Sequence, residues 1–410
     1  MRILFCAALS VAMVAPMARA EPLTFEAALQ QAQQSAPSLA AKTADLAAAR
    51  SSAIAAGRLP DPKLRFGVEN FPISGPPAGS FSLDSMTMTT LGVVQDVPNA
   101  GKRKAERGRA DADIGAAQAS VALESRTVQV NTAVAWVNLY YAEQKLAALD
   151  GIAASIRSIE KSAPSQLTGG SLRPSQTLDA AQLMAALEDR RADLVSEAAK
   201  ARAELIRWTG DETADVAGEL PGYEVDPSAL QMALERNPTL GVYNAMNEQA
   251  DADVKLARAG KRSDWGWDVT YQHRDQMWGD MVSAGVTLSL PLFSKSRQDP
   301  TIQARQDTAN RVRFERDAAH RQLQAQLDAD LADHIMHHDR LTRAQTTLVP
   351  LAQRKADLEV ASYGAGTATL SDVLGSQLAL AEAHVDLLSR EADVAVDAVR
   401  ITLTYESDEQ

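Results

Sequence analysis

The sequence predicts a mainly α-helical protein that also carries four short β-strands. Three observations predict it. Aromatic residues make up only 5% of the 410 residues, and Ala, Leu, Gln, Glu, Asp and Arg are abundant, a composition suited to long helices. Trp265 to Phe293 reads differently, as two alternating strands joined by a polar turn. The whole order of elements then occurs twice along the chain.

Met1 to Ala20 has the form of a secretory leader. Arg2 precedes an apolar run from Ile3 to Ala15, and Ala18-Arg19-Ala20 supplies a small-x-small cleavage site. The run is too short to span a bilayer. The single cysteine, Cys6, lies inside this leader. The mature chain is therefore expected to hold no disulfide, no thiolate nucleophile and no lipid-bearing first cysteine, and to tolerate an oxidising compartment. The formal charge is −12 and becomes −14 once Arg2 and Arg19 leave, which argues against nucleic acid as a partner. No later apolar stretch approaches the ~20 residues of a membrane helix. An exported chain of this kind is either soluble or a β-barrel.

The first half spans residues 21–220. Thr24 is placed to cap a helix that runs to about Gly57. Leu64 to Phe71 alternates Leu64, Phe66 and Val68 with Arg65, Gly67 and Glu69. A loop rich in Pro, Gly and Ser follows from Pro72 to Ser85. Thr89 to Val97 reads as a strand with Leu91, Val93 and Val97 on one face, which Gln95 interrupts. No proline separates Pro98 from Pro164, and a helix of that length would reach ~95 Å at ~1.5 Å per residue. Val130, Val134, Val137 and Tyr141 mark its seam. A turn at Leu167-Thr168-Gly169-Gly170 precedes a returning helix from about Ser175 to Trp208. The helical hairpin covers about 101–209.

The second half spans residues 221–410. Leu230 to Leu240 resembles Phe25 to Leu39, Pro238 matches Pro37, and Pro291 matches Pro98. The strand pair, about 265–290, alternates Trp265, Trp267, Val269 and Tyr271 with small or polar residues. It then alternates Val282, Ala284, Val286, Leu288 and Leu290 in the same way. A helical hairpin covers about 300–404, turning at Tyr363-Gly364-Ala365-Gly366. Its last helix repeats at Leu374, Leu378, Ala381, Val385, Leu388, Ala392, Ala395 and Val399, the spacing of a left-handed coiled coil. Pro350 falls inside the preceding helix and should kink it.

Four strands cannot close a membrane barrel, so two or three chains must share one. The strands' small, polar face suits a water-filled lumen. Trp265, Trp267, Val269, Tyr271, Val286 and Leu288 suit a lipid-facing wall. At this level of detail the chain resembles the TolC-like outer-membrane efflux proteins. The residues that carry the resemblance are Gly366 to Leu374 (GTATLSDVL) and the junction Val94 to Arg103 (VQDVPNAGKR). The junction is most similar to the heavy-metal-efflux branch. The resemblance implies a homotrimer with a shared twelve-stranded barrel, a periplasmic α-helical tunnel and no enzymatic activity. It also implies docking to a periplasmic adaptor and a proton-driven inner-membrane pump, and residence in the outer membrane.

Asp372 matches an acidic position that rings the closed aperture in such channels, although Gly375 and Gln176 are neutral and Ala368 replaces a basic residue. Three copies of Asp372 would favour cations. A helix N-terminal acid that complements the dipole is the structural alternative. Gly169, Gly170, Ser171, Leu172, Tyr363, Gly364, Gly366, Thr367 and Leu370 form the two turns where an adaptor would dock, and turn chemistry alone also accounts for the glycines. His334, His337 and His338 share part of one helix face, yet His334 and His338 fall in register with Leu327, Leu331, Leu341 and Leu348. A structural role is therefore expected, with no resident metal or cofactor. Met86, Met88, Met277 and Met281 sit at strand ends without a defined ligand set. Gly101-Lys102-Arg103 lacks the spacing of a phosphate loop, and with Lys104 and Arg107 it forms a basic patch below the strands.

The expected function is the passive exit duct of a tripartite efflux system, with heavy-metal cations as the first choice of cargo. Drugs or other organic solutes come second and type I protein secretion third. A soluble periplasmic coiled-coil scaffold is the rival from another class.

Overall fold

The computed structural model describes residues 22–168, 174–212, 215–220 and 222–406. The expected leader and the expected turn at Gly169, Gly170, Ser171 and Leu172 lie outside these residues. The chain forms two compact units. One comprises residues 1–35, 131–223 and 337–396; the other comprises 36–130, 224–336 and 397–410. Each unit draws on both halves of the sequence, because the long helices pass from one unit to the other.

The helical region before the first strand is two helices, not one. α1 (Phe25–Ser35) ends at Ala36, and α2 (Pro37–Ala55) restarts with proline in its first turn. Proline lacks the amide that would continue the ladder, but it fits a helix start. The second half repeats the device: α5 (Pro227–Ala233) and a short 3₁₀ turn lead to α6 (Pro238–Ala259). Thr24 caps α1 as expected, its hydroxyl accepting the Ala27 amide at 3.3 Å.

β1 (Lys63–Glu69) and β2 (Met88–Val97) form one antiparallel pair. β3 (Trp265–His273) and β4 (Met281–Leu288) form the other. β2 pairs with β3, so the order is β1-β2-β3-β4 with β1 and β4 as open edges. β1 stops short of the expected Phe71 because Asn70 turns the chain at a positive φ of 54°. Asn tolerates that conformation better than other residues with a side chain.

α3 (Ala100–Thr168) runs 69 residues and continues through Pro164. It is buried more widely than its one predicted seam. Trp136, Leu139 and Ala133 are fully buried beside Val137. Trp136 meets Phe25 edge-on at 5.5 Å, and its indole N–H donates to the Leu23 carbonyl at 2.9 Å. α4 (Pro174–Thr209) and α9 (Leu370–Tyr405) join α3 in a core of Leu149, Leu187, Leu194, Leu374, Ala381 and Val385. Those α9 residues are members of the predicted heptad.

α7 (Gln298–Arg343) and α8 (Val349–Gly364) are joined by a five-residue π turn, Ala344–Leu348. This is the response to Pro350. Its ring would crowd the carbonyl of the preceding turn, and a π turn widens the helix there without ending it. In the unit that holds the strands, Leu230, Leu234, Leu327, Ile401 and Tyr405 pack together.

Candidate functional site

The site is the sheet and the helix ends that anchor it. Cross-strand register keeps each face coherent. Phe66 lies opposite Leu91, Leu91 opposite Tyr271, and Tyr271 opposite Val282. Six residues further along, Val97 pairs with Trp265 and Trp265 with Leu288. This apolar face is open: Trp265, Trp267, Val269, Tyr271, Val286 and Leu288 are all exposed, as are Leu64 and Phe66. Contiguous apolar exposure of this kind is a feature of interaction surfaces.

The opposite face is built from glycine paired with polar side chains. Gly92 lies across from Thr270, Gly266 from Asp96, and Gly285 from Asp268. A Cβ at Gly92 would stand 2.6 Å from the Thr270 hydroxyl, and one at Gly285 would stand 2.5 Å from an Asp268 oxygen. A side chain at either position would have to displace the polar side chain opposite. Gln95 does not spoil the sheet. It is buried, and its amide donates to the Pro60 carbonyl at 2.8 Å, tying the segment before β1 to β2.

Asn99 organises the junction below β2. Its Oδ1 accepts the Lys102 amide at 2.8 Å, which caps α3. Its Nδ2 donates to the Ala259 carbonyl at 3.2 Å, to the Arg262 carbonyl at 3.3 Å and to Asp264 Oδ1 at 2.8 Å. The Asn99 amide donates to the same Asp264 oxygen at 2.8 Å. One side chain thus satisfies the start of α3 and the end of α6. Burial alone would push the Asp264 carboxyl up. The Asn99 donors and Lys102, 3.7 Å away, outweigh it and hold the carboxyl below the usual range. Gly57, at φ 66°, packs on the same helix, since a Cβ there would stand 2.3 Å from the Arg103 carbonyl. Sequence reading singled out this junction but gave Asn99 no role. The signal was an N-capping residue directly after Pro98.

Above the strands, Arg274 knits the two hairpin loops. Its guanidinium donates to the Gly279 carbonyl at 2.7 Å and to Ser85 at 3.3 Å in the other loop.

The second helical turn is a Schellman motif. Gly366 takes φ 77°, its amide donates to Tyr363 at 3.0 Å, and the Thr367 amide donates to Ser362 at 2.9 Å. Gly364, Gly366 and Thr367 are exposed and Tyr363 is half-buried. Leu370 departs from the expected contact surface. It is 1% exposed and belongs to the core with Leu149 and Leu187, as the first residue of α9. Asp372 forms a capping box: its Oδ2 accepts the Thr369 amide at 2.9 Å and hydroxyl at 2.6 Å, and its own amide donates to Thr369 Oγ1 at 3.2 Å. These Thr369 bonds hold its carboxyl below the usual range.

His334 and His337 are half-buried and His338 is exposed on α7. Among the described residues no group of three or more His, Cys, Asp or Glu side chains is placed to hold a metal ion. No described helix is long and apolar enough to cross a membrane.

An apolar-faced strand sheet carried on long paired helices defines the class. The chain matches the outer membrane efflux protein family over residues 28–211 and again over 229–404, and it belongs to that family. This is a family of transport channels, not of enzymes. One matched segment falls in each half of the chain. The fold is similar to three crystal structures. A membrane protein from Pseudomonas aeruginosa aligns with a TM-score of 0.80 at 13% identity over 93% of this chain and 90% of its own. The CmeC outer membrane channel of Campylobacter jejuni gives 0.78 at 13% identity, over 94% and 87%. The outer membrane protein VceC of Vibrio cholerae gives 0.72 at 17% identity, over 94% and 97%. No curated protein matches the chain in sequence.

Proposed function

We propose that three copies of this chain close a twelve-stranded barrel in the outer membrane and form the passive exit duct of a tripartite efflux assembly. The observation that carries this is the pair of open edges. β1 and β4 each leave one side unpaired, and both present exposed apolar side chains: Phe66 is 75% exposed and Val286 76%. Unpaired edges of this kind are normally blunted or paired. Pairing β4 of one copy with β1 of the next satisfies both, and in a membrane the apolar face then meets lipid.

Export energy would come from an inner-membrane pump through a periplasmic adaptor. Docking is assigned to the exposed turn at Gly364, Gly366 and Thr367, and to Gly169, Gly170, Ser171 and Leu172 at the corresponding place in the first half of the sequence. Heavy-metal cations are the proposed cargo, on the likeness of the Val94–Arg103 junction to the metal-efflux branch. Asp372 is assigned to a carboxylate ring at the closed end, a role compatible with its capping box because a carboxylate can accept further bonds.

A chromosomal deletion challenged with toxic metal ions, dyes and detergents tests the cargo. Sensitivity confined to one or two metals is expected. Sensitivity to dyes and detergents with metals unaffected would reject the metal assignment and leave the duct.

A further inference from the structure

We propose that a basic groove between α3 and α6 binds the phosphate of an anionic phospholipid headgroup. The groove holds about 550 Å³ and opens to solvent. Gly101, Ala105 and Gly108 form its floor on one face of α3. Lys104, Lys255, Arg258 and Arg262 line it, and none of its lining residues is acidic.

The charge is unusual for where it lies. Several neighbouring cations are paired: Lys102 with Asp264, Arg109 with Asp253, Arg313 with Asp251 and Lys261 with Asp299. No such ion pair joins Lys104, Lys255, Arg258 or Arg262 to an acid among the described residues. The neighbouring cleft, lined by α6 and α7, shares Lys255 and Arg258, and its one acid, Asp251, is paired with Arg313. In a chain of net charge −12, four cations left around one concave surface call for an external anion. Arginine and lysine together give forked and point donors, the pairing that suits phosphate oxygens.

Floor and position define the ligand further. A Cβ at Gly101 would stand 2.9 Å from an Arg262 guanidinium nitrogen, so glycine there lets Arg262 lie across the groove. At Gly108 nothing stands within 4 Å of such an atom, so that end is open. Gly101 follows the end of β2 by four residues, and Arg262 precedes the start of β3 by three. Trp265 begins β3 on the open apolar face. On the reading that these strands span a membrane, the groove sits at headgroup depth, just beyond an interfacial Trp.

The test is native mass spectrometry of the detergent-solubilised full-length protein with dioleoyl phosphatidylglycerol, dioleoyl phosphatidylcholine or millimolar inorganic phosphate. Phosphatidylglycerol is expected to bind at least about tenfold more tightly than phosphatidylcholine. The charge reversal Lys255→Glu with Arg258→Glu should remove that preference. Gly108→Phe fills the open end while leaving all four charges, and it should remove it too. If the charge reversal fails to fold, Gly108→Phe carries the test, read on protein with an unchanged melting midpoint. Equal binding of the two lipids, or phosphatidylglycerol binding unchanged in both variants, would overturn the proposal. Displacement of the lipid by inorganic phosphate would overturn the lipid source and leave a soluble-anion site. Recovery of the protein in the outer-membrane fraction is scored separately, so failure of the channel reading is distinguished from failure of this one.

Discussion

Asn99 shows how much one residue carries at the junction. It caps α3, satisfies two carbonyls at the end of α6 and fixes Asp264. Replacing it with Ala leaves buried polar groups without those partners, and we expect a loss on the order of 1–3 kcal/mol in thermal or denaturant unfolding. The variant should also be more acid-sensitive. Asp264 has a depressed pKa when folded. Its contribution is therefore present above the ordinary carboxylate value and disappears as pH falls through the folded value. Without Asn99 that value rises, so the acid-unfolding midpoint should move to higher pH. An unchanged midpoint would show that Lys102 and the backbone amide of residue 99, which the variant keeps, hold Asp264 without the side chain. Leu370 gives a second test at this scale. Its burial predicts that Leu370→Ala costs about 2–5 kcal/mol of stability. A stable variant that only lost adaptor binding would return Leu370 to the docking surface.

Elements were legible where their pattern was strong. Alternation located all four strands to within about two residues, and the Pro98–Pro164 interval located α3. What escaped was decided by single residues acting against distant partners. Gln95 read as a flaw in an apolar face, because its partner at Pro60 is 35 residues away. Leu370 read as a turn residue, because the core it enters is built by α3 and α4. The four cations of the groove could not be grouped at all, since Lys104 lies on α3 and the other three on or just after α6. Pro350 was correctly seen as a disturbance, and the structure shows its form as a π turn. That form makes a prediction. Proline in a helix interior costs ~3 kcal/mol relative to Ala. Here the turn already accommodates it, so Pro350→Ala should change stability by less than about 1 kcal/mol. A gain near the full amount would mean that the π turn is strain imposed by the proline, not relief of it.

At the scale of the molecule, the repeat accounts for the sheet. Each half supplies one hairpin, and the β2–β3 ladder joins them in one chain. The same geometry leaves β1 and β4 open, and closure by further copies is the central claim. The most direct measurement is disulfide trapping in the outer-membrane fraction. Cysteine at Phe66 on β1 would be combined in turn with cysteine at Val282, Ala284, Val286 or Leu288 on β4. The background is simple, since Cys6 is the only native cysteine. The account predicts that at least one combination gives a covalent trimer under oxidising conditions, while each single-cysteine variant does not. Monomers in every combination, recovered from the soluble periplasm, would contradict it.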